Sequence, residues 1–402
     1  VYALVFQHAA PWRLDAGSPW VWVAALLLYD LAYYWHHRLG HRVAVLWAAH
    51  AVHHQSEDYN LGTALRQTSS GFLFGWVFYL PLAVLGVPPL VFGVVALIDL
   101  LYQYWVHTQQ IGRLGWFDRW FCSPSNHRVH HAVNDRYIDR NYGGILMVWD
   151  RMFGTFVEES ERCVYGTRSP LQSWDPLWAN LEVYADLARK SRQARRWRDR
   201  LLFWIKPPGW QPPDFGAKPA FDLANVTTYD PPMPPAARAF ATLQLTFAIL
   251  GSVAVLWYSD SMPTAVLLAA AAVVITVLWL TGAVMQGRLA LTRALAIEAL
   301  ALAALLLVTR AGAEPLSPIV DDARVQRAVA VARTEFLAQQ PFDRMHVTVL
   351  LQDRHGTWRR GAVEGDRLAY PASSVKLGFL VGAVHWCREQ GRAPDCLDPY
   401  VR

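Results

Sequence analysis

Apolar residues along this chain gather into blocks of unequal strength, separated by polar and proline-rich stretches. The first block, 20–35, is apolar and aromatic. Two more, 71–87 and 90–106, meet at Pro88-Pro89, which predicts a membrane hairpin with a tight proline turn. Both arms lie near the lower limit of about 17 residues for a helical span. From 109 to 235 no comparable block occurs. That region is rich in Arg, Asp, Trp and Pro and reads as extramembrane, and its end, 207–235, has too many prolines to be one helix. Three stronger spans follow at 240–258, 264–281 and 289–308. Glu298 falls inside the last and is expected to be a neutral or paired packing residue. Beyond 315 the pattern changes again: 321–339 reads as an amphipathic helix, 345–352 alternates like a strand, and 357–360 can pair with it.

These elements predict a mainly α protein: a polytopic membrane helix bundle with a cytoplasmic histidine-rich metal-binding region, plus a truncated α+β C-terminal segment. The expected divisions are an N-terminal segment 1–19, a histidine-bearing membrane domain 20–160, a cytoplasmic segment and linker 161–238, three additional membrane helices 239–310, and the tail 316–402. The chain begins at Val1, which reads as a non-standard start or a missing N-terminus.

Composition supports a membrane protein. Of 402 residues, 53% are hydrophobic and 17% charged, fewer charges than a soluble protein of this size normally carries. The 19 Trp suit the headgroup level, where a ring and a polar N–H are both satisfied. A net charge of +5 is modest, and the basic cluster at 189–200 reads as a membrane-facing patch; no nucleic-acid module accompanies it. Four cysteines without a CxxC argue against a zinc ribbon or a disulfide scaffold. If the three early blocks alternate across the bilayer, Arg38, Arg42, Arg66, Arg113 and the 189–206 cluster share one side with Arg288 and Arg293. The positive-inside rule makes that side cytoplasmic and leaves the tail outside, in a bacterial inner membrane by expectation.

Histidine brings in the chemistry. His37 and His41 form HxxxH; His50, His53 and His54 form HxxHH; His127, His130 and His131 form it again; and His107 ends the second arm of the hairpin. On a helix, positions i and i+3 or i+4 share a face, so each motif gathers imidazoles. Neutral imidazole is a good ligand for iron, zinc and copper. Nine imidazoles exceed what one tetrahedral zinc uses and suit two metal ions. Two irons could bind O2 between them and oxidise an unactivated carbon. All-nitrogen ligation without ExxH pairs differs from the carboxylate-bridged di-iron bundles. His36 points about 100° away from His37 on a helix and is not expected to be a ligand. Asp30, Asp135, Asp139 and Asn141 are the candidates to accept the imidazoles' other N–H groups. Arg128 reads either as structural or as a partner for an anionic group.

The stretch DLAYYWHHRLGHRVAVLWAAHAVHHQSEDYN, from Asp30 to Asn60, resembles the fatty acid hydroxylase/sterol desaturase superfamily. From His107 to Phe156, the NHRVHH, NYGG, WDR and FGTF blocks resemble its alkylglycerol monooxygenase branch, so that the likeness covers roughly 20–160. The resemblance implies a di-iron centre, O2 as oxidant and a lipid substrate; in the animal enzymes of that branch it also implies tetrahydropterin as reductant and ether-lipid cleavage. Asn126 departs from it, since those enzymes carry a further His there. No HPGG haem motif appears, so electrons come from a separate donor or a diffusible cofactor.

The tail holds YPASSVK before an apolar run, with Ser373 and Lys376 in SxxK spacing. A hydroxyl one helical turn from an amine, at a helix start, can act as a nucleophile with its proton acceptor. The order of helix, strand pair and SxxK resembles the N-terminal part of a class A β-lactamase-related serine hydrolase, which implies Ser373 as nucleophile and Lys376 as its proton partner. The SDN-like and KTG-like elements do not follow before Arg402, so this segment is expected to be incomplete. Cys387 and Cys396 are disulfide candidates outside the cytoplasm.

The leading expectation is a membrane-bound lipid hydroxylase. The same oxidant could run desaturation instead, because both begin with hydrogen abstraction. A non-catalytic metal carrier is disfavoured because transport sites sit near the bilayer midplane and these ligands sit at span ends. A membrane-anchored serine hydrolase fusion is disfavoured because an anchor needs no ligands.

Overall fold

The computed structural model describes residues 1–216, 220–312, 319–339, 347–352 and 358–363. These fall into two compact units, one holding residues 1–261 and 270–302, the other 262–269 and 303 onward.

The first unit opens with helix α1 (Tyr2–Ala9) and the 24-residue α2 (Pro19–Arg42). Pro19 stands in the first turn of α2, where its missing N–H costs nothing and its fixed φ suits a helix. Short helices α3 (Ala44–Ala48), α4 (Ala51–His54) and α5 (Leu61–Leu65) follow. Asn60 caps α5 in a reciprocal box with Thr63.

The expected hairpin forms with only one straight arm. Its first arm is broken into 3-10 turns at Gly71–Leu73 and Gly75–Tyr79, then α6 (Leu80–Val84). Gly71, Gly75 and Pro81 explain the break: glycine favours no helix, and proline removes a donor and clashes with the preceding turn. The second arm is α7 (Pro89–Trp105), of 17 residues. The side count based on three early spans therefore has no continuous helix in one of its three places. Ala25, Tyr29, Leu82, Val87, Val91 and Val95 form the core shared by α2, α6 and α7. The N-terminal segment docks on the proline turn, where Tyr2 donates to the Val87 carbonyl at 3.0 Å and Trp12 Nε1 to the Leu85 carbonyl at 3.0 Å. Gly86 has φ +79° there, and a Cβ would stand 2.4 Å from the Trp12 oxygen.

Helices α8 (Phe117–Trp120), α9 (Pro124–His131) and α10 (Val148–Met152) follow. Ser123 caps α9 by accepting from Asn126 N, with Pro124 in the first turn. Next come α11 (Pro176–Gln193), capped by Asp175 through Leu177 N and Trp178 N, and α12 (Trp197–Ile205). Leu187 of α11 packs with Ala44 and Ala48 of α3, which fastens α11 against the histidine region.

Three helices are long and apolar enough to cross a membrane: α13 (Pro235–Tyr258), α14 (Thr264–Met285) and α15 (Leu291–Gly312), the last over Leu291–Arg310. The protein is an integral membrane protein. Ala237, Phe240, Leu280, Val284 and Ala294 hold the three together. Glu298 accepts from the buried Gln244 amide, as expected of a paired packing residue. The end of α14 meets the segment ahead of α11: Trp279 Nε1 donates to Asp175 Oδ2 at 3.2 Å, and a Cβ on Gly282 would lie 2.3 Å from the Trp174 carbonyl oxygen.

In the second unit, β1 (Ile319–Asp321) pairs parallel with β3 (Trp358–Val363), and β3 pairs antiparallel with β2 (Val347–Gln352) from Val347↔Val363 to Gln352↔Trp358. The strand order is β1-β3-β2, and α16 (Ala323–Gln339) packs on β3. Ser373, Lys376, Cys387 and Cys396 lie outside the described residues.

Gly282→Ala is expected to destabilise the protein by about 1–3 kcal/mol through backbone overpacking. Gly251→Ala, whose Cβ would sit 3.4 Å from Val274, is expected to be near neutral. Thermal unfolding of both variants in detergent checks the contrast.

Candidate metal centre

The nine predicted histidines converge, and they do so as two groups. His37, His41, His50, His54 and His130 form one; His53, His107, His127 and His131 form the other. Within each group the ligand atoms lie within 4.8 Å of one another. Eight of the nine are buried and His50 is half-buried.

Local helix geometry decides the sorting. His37 and His41 share a face of α2, and His50 and His54 share a face at α4. His53, one residue from His54, turns about 100° away and joins the second group. In α9 the assignment reverses: His127 and His131 join the second group, and His130 between them joins the first. The two HxxHH motifs are thus used in opposite senses, each giving a pair to one group and a single imidazole to the other. His107, just beyond α7, completes the second.

Hydrogen bonding sets the tautomers. The Nδ1 atoms of His37, His53, His107 and His130 face the carbonyls of Tyr142 at 2.9 Å, Arg66 at 3.2 Å, Gln103 at 2.8 Å and Arg140 at 3.0 Å. A carbonyl only accepts, so each Nδ1 carries the proton and each Nε2 keeps a bare lone pair. Yet His107 Nε2 faces His53 Nε2 at 3.2 Å, and His37 Nε2 is buried with no partner. His127 Nε2 lies 3.0 Å from His107 Nε2, His130 Nε2 3.2 Å from His54 Nε2, and His50 and His54 Nε2 are 3.1 Å apart. Two nitrogens at about 2.1 Å from one metal ion, set at right angles, lie about 3 Å apart. Lone pairs aimed at one another at this spacing fit a cation between them. His41 Nε2 is also buried and unpartnered.

Electrostatics keeps the donors neutral. Burial first, then repulsion from neighbouring imidazoles, lowers His54, His127 and His131 well below the usual histidine value, and His53 is lowered to about 3. Neutral imidazole is the form that binds metal.

Around the imidazoles the expected carboxylate partners give way to main chain. Asp30 accepts from Ile145 N, Leu146 N and Trp149 Nε1 at 2.8, 3.0 and 2.9 Å. Asp135 pairs with Arg168 and Asp139 with Arg42, both at the surface. Asn141, at φ +56°, bridges the carbonyls of Asn126 and Val157. None of the four bonds an imidazole. Asp150, not singled out by the histidine spacing, accepts from Tyr142 N at 2.8 Å, Gly143 N at 2.7 Å and Thr155 Oγ1 at 2.6 Å, and burial pushes its carboxyl up to about 6. Asp30 and Asp150 together clamp 142–146, which carries the carbonyl that meets His37. A Cβ on Gly143 would lie 2.5 Å from the Leu146 oxygen, and one on Gly144 would lie 2.7 Å from Asp99 Oδ1. The NYGG, WDR and FGTF blocks are therefore parts of one support.

Arg128 is a clamp as well. Its guanidinium bonds Glu159 at 2.9 and 2.7 Å and donates to the carbonyls of Thr108 and Ile111. Asn126 donates to the carbonyls of Asp118 and Phe121 and anchors the start of α9. His36 stacks on Phe78 and joins neither group. Tyr59 lies 5.7 Å from the ring of His107 and 5.2 Å from that of His131, and Trp47 lies 5.0 Å from that of His41; these rings wall the two groups.

Asp150→Asn sets an amide N–H against one of three donors, and is expected to cost about 1–3 kcal/mol. Asp139→Asn breaks only the exposed pair with Arg42 and is expected to cost under about 1 kcal/mol. Thermal unfolding of the two variants side by side checks this.

Comparison with known proteins bears on the same segment. Residues 22–155 match the family profile described as fatty acid hydroxylase. Human alkylglycerol monooxygenase is 39% identical over 224 residues, covering 56% of this chain and 49% of the relative. The Xenopus tropicalis enzyme of the same name is 41% identical over 211 residues, 52% of this chain and 47% of the relative. The ornithine lipid hydroxylase OlsE of Rhizobium tropici is 30% identical over 140 residues, 33% of this chain and 41% of the relative. The chain spans about half the length of the curated relatives it matches. No solved structure matches it. All nine histidines fall inside the segment that is similar to the fatty acid hydroxylases, and the similarity to alkylglycerol monooxygenases supports that branch of the superfamily.

Proposed function

We propose that this chain is a membrane-bound di-iron monooxygenase that uses O2 to hydroxylate a lipid C–H bond. The observation that carries the proposal is the division of nine buried imidazoles into two adjoining groups with converging lone pairs. In this reading His37, His41, His50, His54 and His130 hold one iron, and His53, His107, His127 and His131 the other. Iron bound there supplies activation of O2 and the capacity to take a hydrogen atom from carbon.

The protein's own part is positioning. Backbone carbonyls hold four rings by their Nδ1–H groups, which fixes Nε2 toward the centre. Asp30 and Asp150 fix the loop that supplies one of those carbonyls. The rings of Tyr59 and Trp47 shield the groups from water.

Similarity to alkylglycerol monooxygenases supports an ether lipid of the alkylglycerol type as the first substrate to test. Similarity to an ornithine lipid hydroxylase supports hydroxylation over desaturation. In this reading the reductant is a tetrahydropterin or an electron-carrier protein. Basic residues precede α13, and Arg288 and Arg293 flank the turn between α14 and α15, so the positive-inside rule supports a cytoplasmic histidine face.

Metal analysis of detergent-purified protein is expected to give about two irons per chain, one for each histidine group. Much of this should be lost in a His53→Ala, His130→Ala double variant, which removes one donor from each group. Incubation with an alkylglycerol, tetrahydropterin and isotopically labelled O2 should then put one labelled oxygen into the lipid product. Well-folded protein that takes up no metal, even after reconstitution with iron, would refute the assignment.

A further inference from the structure

Helix α12 presents a face that nothing in the described protein covers. Trp197, Leu201 and Ile205 stand four residues apart, so they form one stripe along the helix. They are 74%, 55% and 59% exposed, whereas Phe203, on roughly the opposite side, is 3% exposed and packs on Trp210 and Phe215. The helix is seated on one side and bare and apolar on the other.

Charge says what covers the bare side. Arg192 in the last turn of α11 and Arg195, Arg196 and Arg198 around the start of α12 are all exposed. Nearby Arg189 and Lys190 both pair with Asp186, but among the described residues none of these four arginines makes an ion pair. An apolar stripe with large aromatic and aliphatic side chains, bordered by unpaired arginines, suits the boundary between acyl chains and anionic headgroups. The same unit carries membrane-spanning helices, so a bilayer is already at hand.

We propose that α12 is an interfacial helix, which rests its Trp197–Leu201–Ile205 stripe in the bilayer surface and binds anionic phospholipid headgroups through Arg192, Arg195, Arg196 and Arg198. This contact would steady the metal-centre region at the lipid surface. The Ala44 amide donates to the Lys206 carbonyl at 3.1 Å, next to the end of α12. In α11, the Ala179 carbonyl accepts from Gln55 at 3.2 Å, one residue after His54, and Tyr184 lies 2.9 Å from the Ser70 hydroxyl. The helix that meets the lipid is therefore fastened to the segment bearing His50, His53 and His54. The proposal is independent of which metal or reaction the histidines serve.

The test is hydroxyl-radical footprinting of the full chain in nanodiscs of phosphatidylcholine alone and of phosphatidylcholine mixed with phosphatidylglycerol. Oxidation of Trp197 is expected to fall several-fold in the anionic discs, and the protection should weaken as salt is raised. A variant with Arg192, Arg195, Arg196 and Arg198 all changed to Gln should lose the difference. Its thermal unfolding, compared with that of the parent, shows whether it is folded. Equal labelling of Trp197 in the two lipids would overturn the proposal. So would protection that grows with protein concentration, since a second copy would then be the cover.

Discussion

Lone pairs of neutral nitrogens do not attract one another, yet the centre of this protein sets Nε2 atoms of neighbouring imidazoles about 3 Å apart, those of His53 and His107 as facing lone pairs. Four of the nine rings are gripped from behind: where Nδ1 meets a carbonyl, the tautomer and the ring direction are settled together. What the protein stabilises is a set of converging donors, kept uncharged by burial and ready for positive charge. The surrounding loops and clamps serve that demand.

The clamps are buried carboxylates turned toward main chain. Asp30 reaches from α2 and Asp150 from α10, and between them they satisfy the amides of 142, 143, 145 and 146. The loop can lie this close only because 143 and 144 lack a side chain. Arg128, between two of the histidines of α9, ties that helix to Glu159 and to the loop after His107. Support for the donors is therefore shared across residues distant in sequence, and a single loose clamp is felt at several rings.

The helices long and apolar enough to cross a membrane are not those that bear the histidines. α13, α14 and α15 carry the long apolar stretches, while the histidines sit on α2, α4, α9 and the end of α7. The join between them is polar and close: Trp279, Asp175 and the Trp174 carbonyl meet where Gly282 permits approach. Under the proposed lipid hydroxylation, such a join would keep buried donors within reach of the bilayer.

The histidine motifs, the three late spans and the break at the prolines are local properties. HxxxH and HxxHH put imidazoles on a shared face through helix periodicity alone, and spans of about twenty mostly apolar residues leave few other folds. The broken first arm, with Gly71, Gly75 and Pro81 in view, was legible too, but total hydrophobicity masked it. Other features came only with the tertiary structure. Whether His53 goes with His54 or against it depends on where α9 and His107 lie, and the opposite use of the two HxxHH motifs is a fact of packing. Four of the imidazoles are held by backbone carbonyls, which every residue has and no sequence pattern marks. Side-chain type and spacing determined which atoms could bind a metal; only the folded chain decided which of them meet, because convergence depends on contacts between segments up to about a hundred residues apart.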